Sequence, residues 1–174
     1  MSWTLINAAS VYAEKAPGLW IAAVQACLEA EAGASAVWIG QVQADYAALT
    51  GKAAAESAGR ISFPGPAANT EVLATLARPG AILLVASDVE VFPVSVMEAS
   101  QLGVPVICRR FPGCEEVLGD GYPLGFATAA EALERFLAVV AGYDAARCAA
   151  RTLFEQRFRK DDAWYAAAAA LAAP

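Results

Sequence analysis

The chain has 174 residues, 58% hydrophobic and 17% charged, with a formal net charge of −6. That length suits one domain with a sizeable core, and that composition is globular, not disordered. The acidic balance argues against nucleic acid as the main partner, since such domains present a basic face. Histidine is absent, which excludes a Ser-His-Asp or Cys-His mechanism contained within this chain.

The four cysteines, Cys27, Cys108, Cys114 and Cys148, show no C-x-x-C spacing, so no metal site is expected. Cys27 and Cys108 fall in apolar patterns and read as small core hydrophobes in a reducing compartment. No charged-then-apolar leader opens the sequence, and no apolar run approaches the ~18–20 residues that span a bilayer. A soluble, cytoplasmic protein is the expectation. Arg147, Arg151, Arg157, Arg159 and Lys160 gather five of the twelve basic residues near the C-terminus. They read as a solvated helical face, or as a surface meeting a partner domain or the inner face of an anionic membrane.

Along the chain, apolar β-like runs alternate with helical patterns, the signature of a parallel sheet between two helical layers. Residues 3–8 form the first predicted strand. A helix over about 18–32 follows, with Leu19, Ala22, Ala23, Ala26 and Cys27 on its inward face. Residues 36–39 form a second strand closed by Gly40, and an alanine-rich helix covers about 44–57. The third strand, 60–63, ends in Pro64-Gly65-Pro66, a turn cluster, before Asn69 or Thr70 caps a short helix reaching about Ala77.

Residues 81–86 are apolar throughout and read as a fully buried strand. Pro93 fits the first turn of the next helix, which Gly103 ends before Pro105. A fifth strand over 104–108, a short helix around 114–118 and a brief sixth strand near 124–127 follow. Thr128 with Glu131 makes a capping box for a helix over 129–140. The rest, about 143–173, is helical in two or three pieces. The whole reads as a single three-layer, Rossmann-like α/β domain over residues 1–174, with a roughly six-stranded parallel sheet and helices on both faces.

The chemistry concentrates in residues 84–121. A buried strand ends at Ala86, and a loop runs from Ser87 to Phe92 into the helix opened by Pro93. Ligands of open α/β sheets bind beyond the carboxyl ends of the strands. The first-turn N–H groups of Val94, Ser95 and Val96 would have no helical partner and would meet the positive end of the dipole, which suits a diphosphate. Glu90 stands just before this helix and Glu98 about one turn inside it. Carboxylates accept hydrogen bonds from vicinal hydroxyls, so the layout suits a sugar and a ribose on either side of a phosphate group. A glutamate near a helix start is also favourable for the dipole alone.

The segment Glu90-Val91-Phe92-Pro93-Val94-Ser95-Val96-Met97-Glu98 resembles the E-x7-E segment of retaining GT-B glycosyltransferases, most closely family 4, also called group 1. The likeness continues in order through Ser87, Ala99, Gly103-Val104-Pro105, Pro112-Gly113, Glu116-Val117-Leu118 and Asp120-Gly121. Weaker likeness lies at Glu14-Lys15, Ile39-Gly40, Phe63-Pro64-Gly65, Phe158 and Tyr165. The resemblance implies the C-terminal, nucleotide-sugar-binding half of a GT-B fold, without the N-terminal acceptor domain.

It also implies roles. Glu98 would hold the ribose hydroxyls and Glu90 those of the transferred sugar. The backbone amides of Phe92, Val94 and Ser95 would line the sugar and diphosphate, Lys15 would neutralise the diphosphate, and Gly65 would lie against the base. Lys15 and Glu90 are thus the implied catalytic residues. The donor would be a UDP-, GDP- or ADP-hexose, used without metal or other cofactor, and the acceptor a glycan or lipid-linked molecule. The chain departs from the family pattern at Ser10, where members carry arginine, and at Ala9 and Val91, where they carry glycine. Arg109 or Arg110, just past the fifth strand, could replace the missing cation. The alternative function is a non-catalytic GT-B-like binding module that kept the fold while its donor site decayed.

Overall fold

The aliphatic strands lie in one sheet, where their backbone groups are paired while both faces are buried. The computed structural model describes residues 2–90, 93–112 and 117–159. Its strands are β1 (Trp3–Ala8), β2 (Ala34–Ile39), β3 (Ile61–Gly65), β4 (Ala81–Val85), β5 (Val106–Arg109) and β6 (Gly125–Phe126). They form one sheet in the order β3-β2-β1-β4-β5-β6, and every pairing is parallel. All five residues of β4, Ala-Ile-Leu-Leu-Val, are buried. The expected three-layer architecture is the one observed.

One face carries α1 (Pro17–Ala30), α2 (Ala47–Glu56) and α5 (Ala129–Ala141) over Leu5, Trp38, Leu84 and Ile107. The other carries α3 (Asn69–Leu76), α4 (Val94–Leu102) and α6 (Tyr143–Leu153) over Ile6, Leu83, Val85 and Val106. The inward face of α1 differs from the alanine-rich stripe expected. Trp20, Ile21, Ala23, Val24, Cys27 and Leu28 are buried, while Ala22 is exposed. Burying a large apolar side chain contributes about 1.5–3 kcal/mol, far more than an alanine methyl, so the bulky residues set the rotation.

Two tryptophans join this core to the sheet. Trp20 Nε1 donates to the Leu84 carbonyl at 3.0 Å and Trp38 Nε1 to the Ala9 carbonyl at 2.7 Å, with the rings edge to face at 5.0 Å. Tyr122 closes the opposite side: its hydroxyl donates to the Val106 carbonyl at 2.7 Å, and burial raises its pKa well above the ordinary phenol value.

Several boundaries shift for local reasons. Pro64 and Gly65 belong to β3, not to a turn after it; an edge strand tolerates proline, and the Gly65 carbonyl accepts from Gly40 N at 3.0 Å. Residues 44–46 form a separate 3₁₀ turn before α2. Asn69 is the first residue of α3 instead of its cap; Ala68 precedes the helix, and its N–H is taken by Glu71 Oε2 at 3.2 Å. Pro93 is likewise just outside α4, which ends as expected at a left-handed Gly103. At α5, Thr128 Oγ1 accepts from Glu131 N, but the Glu131 carboxylate reaches Ala127 N, one residue before the expected box partner. The short helix expected at 114–118 lies largely outside the described residues, as do Cys114 and everything after Arg159.

In the basic C-terminal stretch Arg151, Arg157 and Arg159 are exposed, as a solvated face requires, and Lys160 lies outside the described residues. Arg147 Nε donates to the Gly103 carbonyl at 3.3 Å, and Arg151 lies directly over Gly103, where a Cβ would meet its Nε at 2.6 Å. Both guanidiniums thus sit at the negative end of α4, where cations are favoured. Arg159 pairs with Glu155 at 2.5 Å. Among the described residues no helix is long and apolar enough to cross a membrane. Cys27 and Cys108 are buried, as expected, and Cys148 is exposed.

The second helical layer is incomplete. Among the described residues, two-turn α3 leaves a groove of about 380 Å³ beside it over β2 and β3, lined by Thr4, Ser35, Ser62, Glu71 and Arg78 among others. The groove places one hydroxyl residue from each of three neighbouring strands, Thr4, Ser35 and Ser62, on this face, while Val37 and Ile39 keep it aliphatic further along β2.

Candidate functional site

Between β1 and β4 the strand order reverses direction, so their following connections diverge and leave a crevice at the carboxyl edge. It measures about 370 Å³. Ala8, Ala9 and Ser10 from the end of β1 line it, with Gly40 and Gln41 beyond β2, Pro66 and Asn69 beyond β3, and Val94, Ser95 and Glu98 of α4. Three of the residues singled out in the sequence, Val94, Ser95 and Glu98, therefore share one concavity.

The head of α4 supplies fewer amides than expected. Val96 N–H already donates to the Pro93 carbonyl at 2.9 Å. The N–H groups of Val94 and Ser95 remain at the positive end of the helix and form the anion-attracting part of the crevice wall.

Glu90 and Lys15, 75 residues apart in sequence, meet each other past the ends of β4 and β1, though neither side chain lines this crevice. Lys15 Nζ lies 2.6 Å from Glu90 Oε1, and Ser87 Oγ donates to the same oxygen at 2.6 Å. Both charged side chains are only 13% exposed. Asp88 N–H donates to the Glu14 carbonyl at 2.8 Å, which ties the loop after β4 to the 3₁₀ turn at Ala13–Lys15. The Lys15 ammonium also stands 5.7 Å from the centre of the Tyr12 ring. The serine three positions before Glu90 thus has a physical role: it supplies a second donor to a carboxylate largely removed from water.

The proposed substitutes for the missing cation do not reach the crevice. Arg109 is ion-paired with Asp88, and Arg110 Nη1 lies 3.0 Å from Glu131 Oε2. Neither guanidinium lines the cavity, whereas Ser10 does. Gly65 stands one residue outside the wall formed by Pro66 and Ala67; its φ of +92° turns the chain toward them. Phe92 and Val91 lie outside the described residues.

One residue of the crevice escaped sequence reasoning. Asn69 Nδ2 donates to Glu98 Oε1 at 3.1 Å across a sequence separation of 29. An asparagine near a helix start reads as a cap, and nothing local announces a partner on another helix.

The family model for glycosyl transferases group 1 matches residues 1–142. The chain belongs to this family. A search of the curated proteins finds no match. Solved structures of similar fold include Anabaena HepE in complex with UDP and glucose, 18% identical with a TM-score of 0.78, where 98% of this chain aligns with 48% of that one. The C-terminal domain of the group 1 family protein LpcC from Francisella tularensis is 16% identical with a TM-score of 0.73, over 90% of this chain and 87% of that domain. Staphylococcus aureus TarM, in complex with UDP among other ligands, is 13% identical with a TM-score of 0.73, and this chain covers 31% of its length. The group 1 domain described above therefore has the architecture of a GT-B C-terminal half, and it spans a third to a half of several longer relatives.

Proposed function

We propose that this group 1 domain binds a nucleotide sugar, a UDP-, GDP- or ADP-hexose, and supplies the donor half of a retaining hexosyl transfer. The observation that carries the reading is the gathering of Val94, Ser95 and Glu98 in one crevice, with the Lys15–Glu90–Ser87 cluster formed by the segments after β1 and β4. Glu98 takes the ribose hydroxyls. The amides of Val94 and Ser95, with that of Phe92, receive the sugar and diphosphate, and Gly65 with its turn places the wall beside the base.

Chemistry follows from where charge develops. As the glycosidic bond breaks, negative charge grows on the diphosphate oxygens. Lys15 and the helix head stabilise it best when they are already oriented and shielded from water. Glu90, held by Ser87, accepts hydrogen bonds from the departing hexose in this reading. Because fixed cations and amides meet the leaving group, transfer proceeds without a metal. The acceptor, a glycan or lipid-linked molecule, enters from an N-terminal domain or subunit, at the cytoplasmic side of a membrane where it is lipid-linked. The chain alone shows negligible transfer.

Ser10 favours a second reading, a binding module with a decayed donor site, because it puts a neutral hydroxyl in the crevice where the family pattern has arginine. Calorimetric titration with UDP, GDP and ADP separates the two. Binding of one nucleotide that weakens at least about tenfold on Glu98→Ala supports the donor role; no binding of any of them leaves the module reading.

A further inference from the structure

Asn69 and Glu98 come from different helices, α3 and α4, yet they meet at the wall of the same crevice. The 3.1 Å bond engages one N–H of the Asn69 amide and one oxygen of the Glu98 carboxylate. The amide orientation is fixed by charge: Oδ1 turned toward a carboxylate would place two acceptors against each other. Asn69 keeps its Oδ1 and a second N–H, and Glu98 keeps Oε2. Together they offer two side-chain acceptors, Glu98 Oε2 and Asn69 Oδ1, whose relative position the bond between them holds.

We propose that Asn69 is a positioning and specificity residue for the donor: it orients Glu98 and completes with it a two-residue clamp on the vicinal hydroxyls of a ribonucleotide. The proposal rests on the crevice being the nucleotide-sugar site. A pair of adjacent hydroxyls needs acceptors in a fixed orientation, and a half-buried carboxylate free to rotate presents that orientation only part of the time. The bond from Asn69 removes that freedom before the ligand arrives. Preference for ribose over deoxyribose follows, because a 2′-deoxy ligand leaves one acceptor without a donor.

The test is calorimetric titration of the whole chain with UDP, GDP and ADP, then with the 2′-deoxy form of whichever binds. The expected result is that Asn69→Ala weakens the ribonucleotide about tenfold or more and the deoxy form less, so that discrimination narrows. Asn69→Asp separates this from a structural role. Aspartate in the first turn of α3 suits the helix dipole at least as well, so a residue acting on the helix alone would tolerate it. A clamp residue would not, because two carboxylates repel and the donor to Glu98 is gone. Unchanged discrimination in Asn69→Ala, or full affinity in Asn69→Asp, overturns the clamp while leaving the donor reading standing. Failure of the unmodified chain to bind any of the three nucleotides overturns both.

Discussion

Lys15 Nζ and Glu90 Oε1 lie 2.6 Å apart with both side chains 13% exposed. This ion pair links the turn after β1 to the loop after β4, the two segments that flank the sheet's switch point. Ser87 Oγ donates to the same Glu90 oxygen at 2.6 Å, so the carboxylate is held from both segments.

Removing one member leaves the other charge largely desolvated. Lys15→Met is expected to lower stability by about 1–3 kcal/mol, measured by urea unfolding. Combining it with Glu90→Gln should cost less than the sum of the two single changes, with a coupling of at least about 0.5 kcal/mol. Strict additivity would show that the pair contributes nothing beyond its separate contacts.

Ser10→Arg restores a cation to the crevice wall. The nucleoside diphosphate that binds should then bind about tenfold more tightly, and the gain should shrink as salt is raised from about 0.05 to 0.5 M. A gain that salt does not touch would mean that the arginine acts by packing instead of charge.

Gly40 and Trp38 shape the floor of the same cavity. A Cβ at Gly40 would collide with the carbonyl of Ala9, a backbone atom that cannot swing away. Trp38 Nε1 holds that same carbonyl from the other side. Gly40→Ala and Trp38→Phe should each cost about 1–3 kcal/mol. Both should also weaken the nucleotide, because Ala9 and Ser10 line its crevice. Thermal melts and titration of the same preparations test this together. A variant that loses stability and keeps full affinity would uncouple core from site.

Burial pushes the Cys27 thiol from its ordinary 9.0 up to about 12. The fold therefore favours the protonated thiol, so stability from this group is full below about pH 9 and is lost as pH rises toward about 12. Cys27→Ala should flatten that part of the stability–pH curve, read by urea unfolding at a series of alkaline pH values. Alkylation followed by mass spectrometry should modify exposed Cys148 quickly and buried Cys27 only after unfolding.

Much of this architecture is written locally. The all-apolar 81–85 run, the left-handed glycine after α4 and the threonine before α5 each act within a few residues, so spacing and residue type suffice to place them. The segment from Glu90 to Glu98 is likewise local, and with it came the family and the crevice at the head of α4. Alanine-rich stretches were less legible. In α1 a stripe of small residues matched the helical period as well as the true one, and only the competition of Trp20, Val24 and Leu28 for the core settled the rotation.

Contacts between distant segments belong to the tertiary structure alone. Glu98 was visible as a glutamate on a helix face, but Asn69 joined it only when α3 packed beside α4. Arg109 and Arg110 were visible as cations past β5, but the fold paired them with Asp88 and Glu131, away from the crevice. The sequence by itself determined most of the elements and the helix head that opens onto the crevice, because propensity, capping and periodicity are short-range. Packing decided which charges meet, because a side chain's partner depends on where elements up to 75 residues apart come to rest.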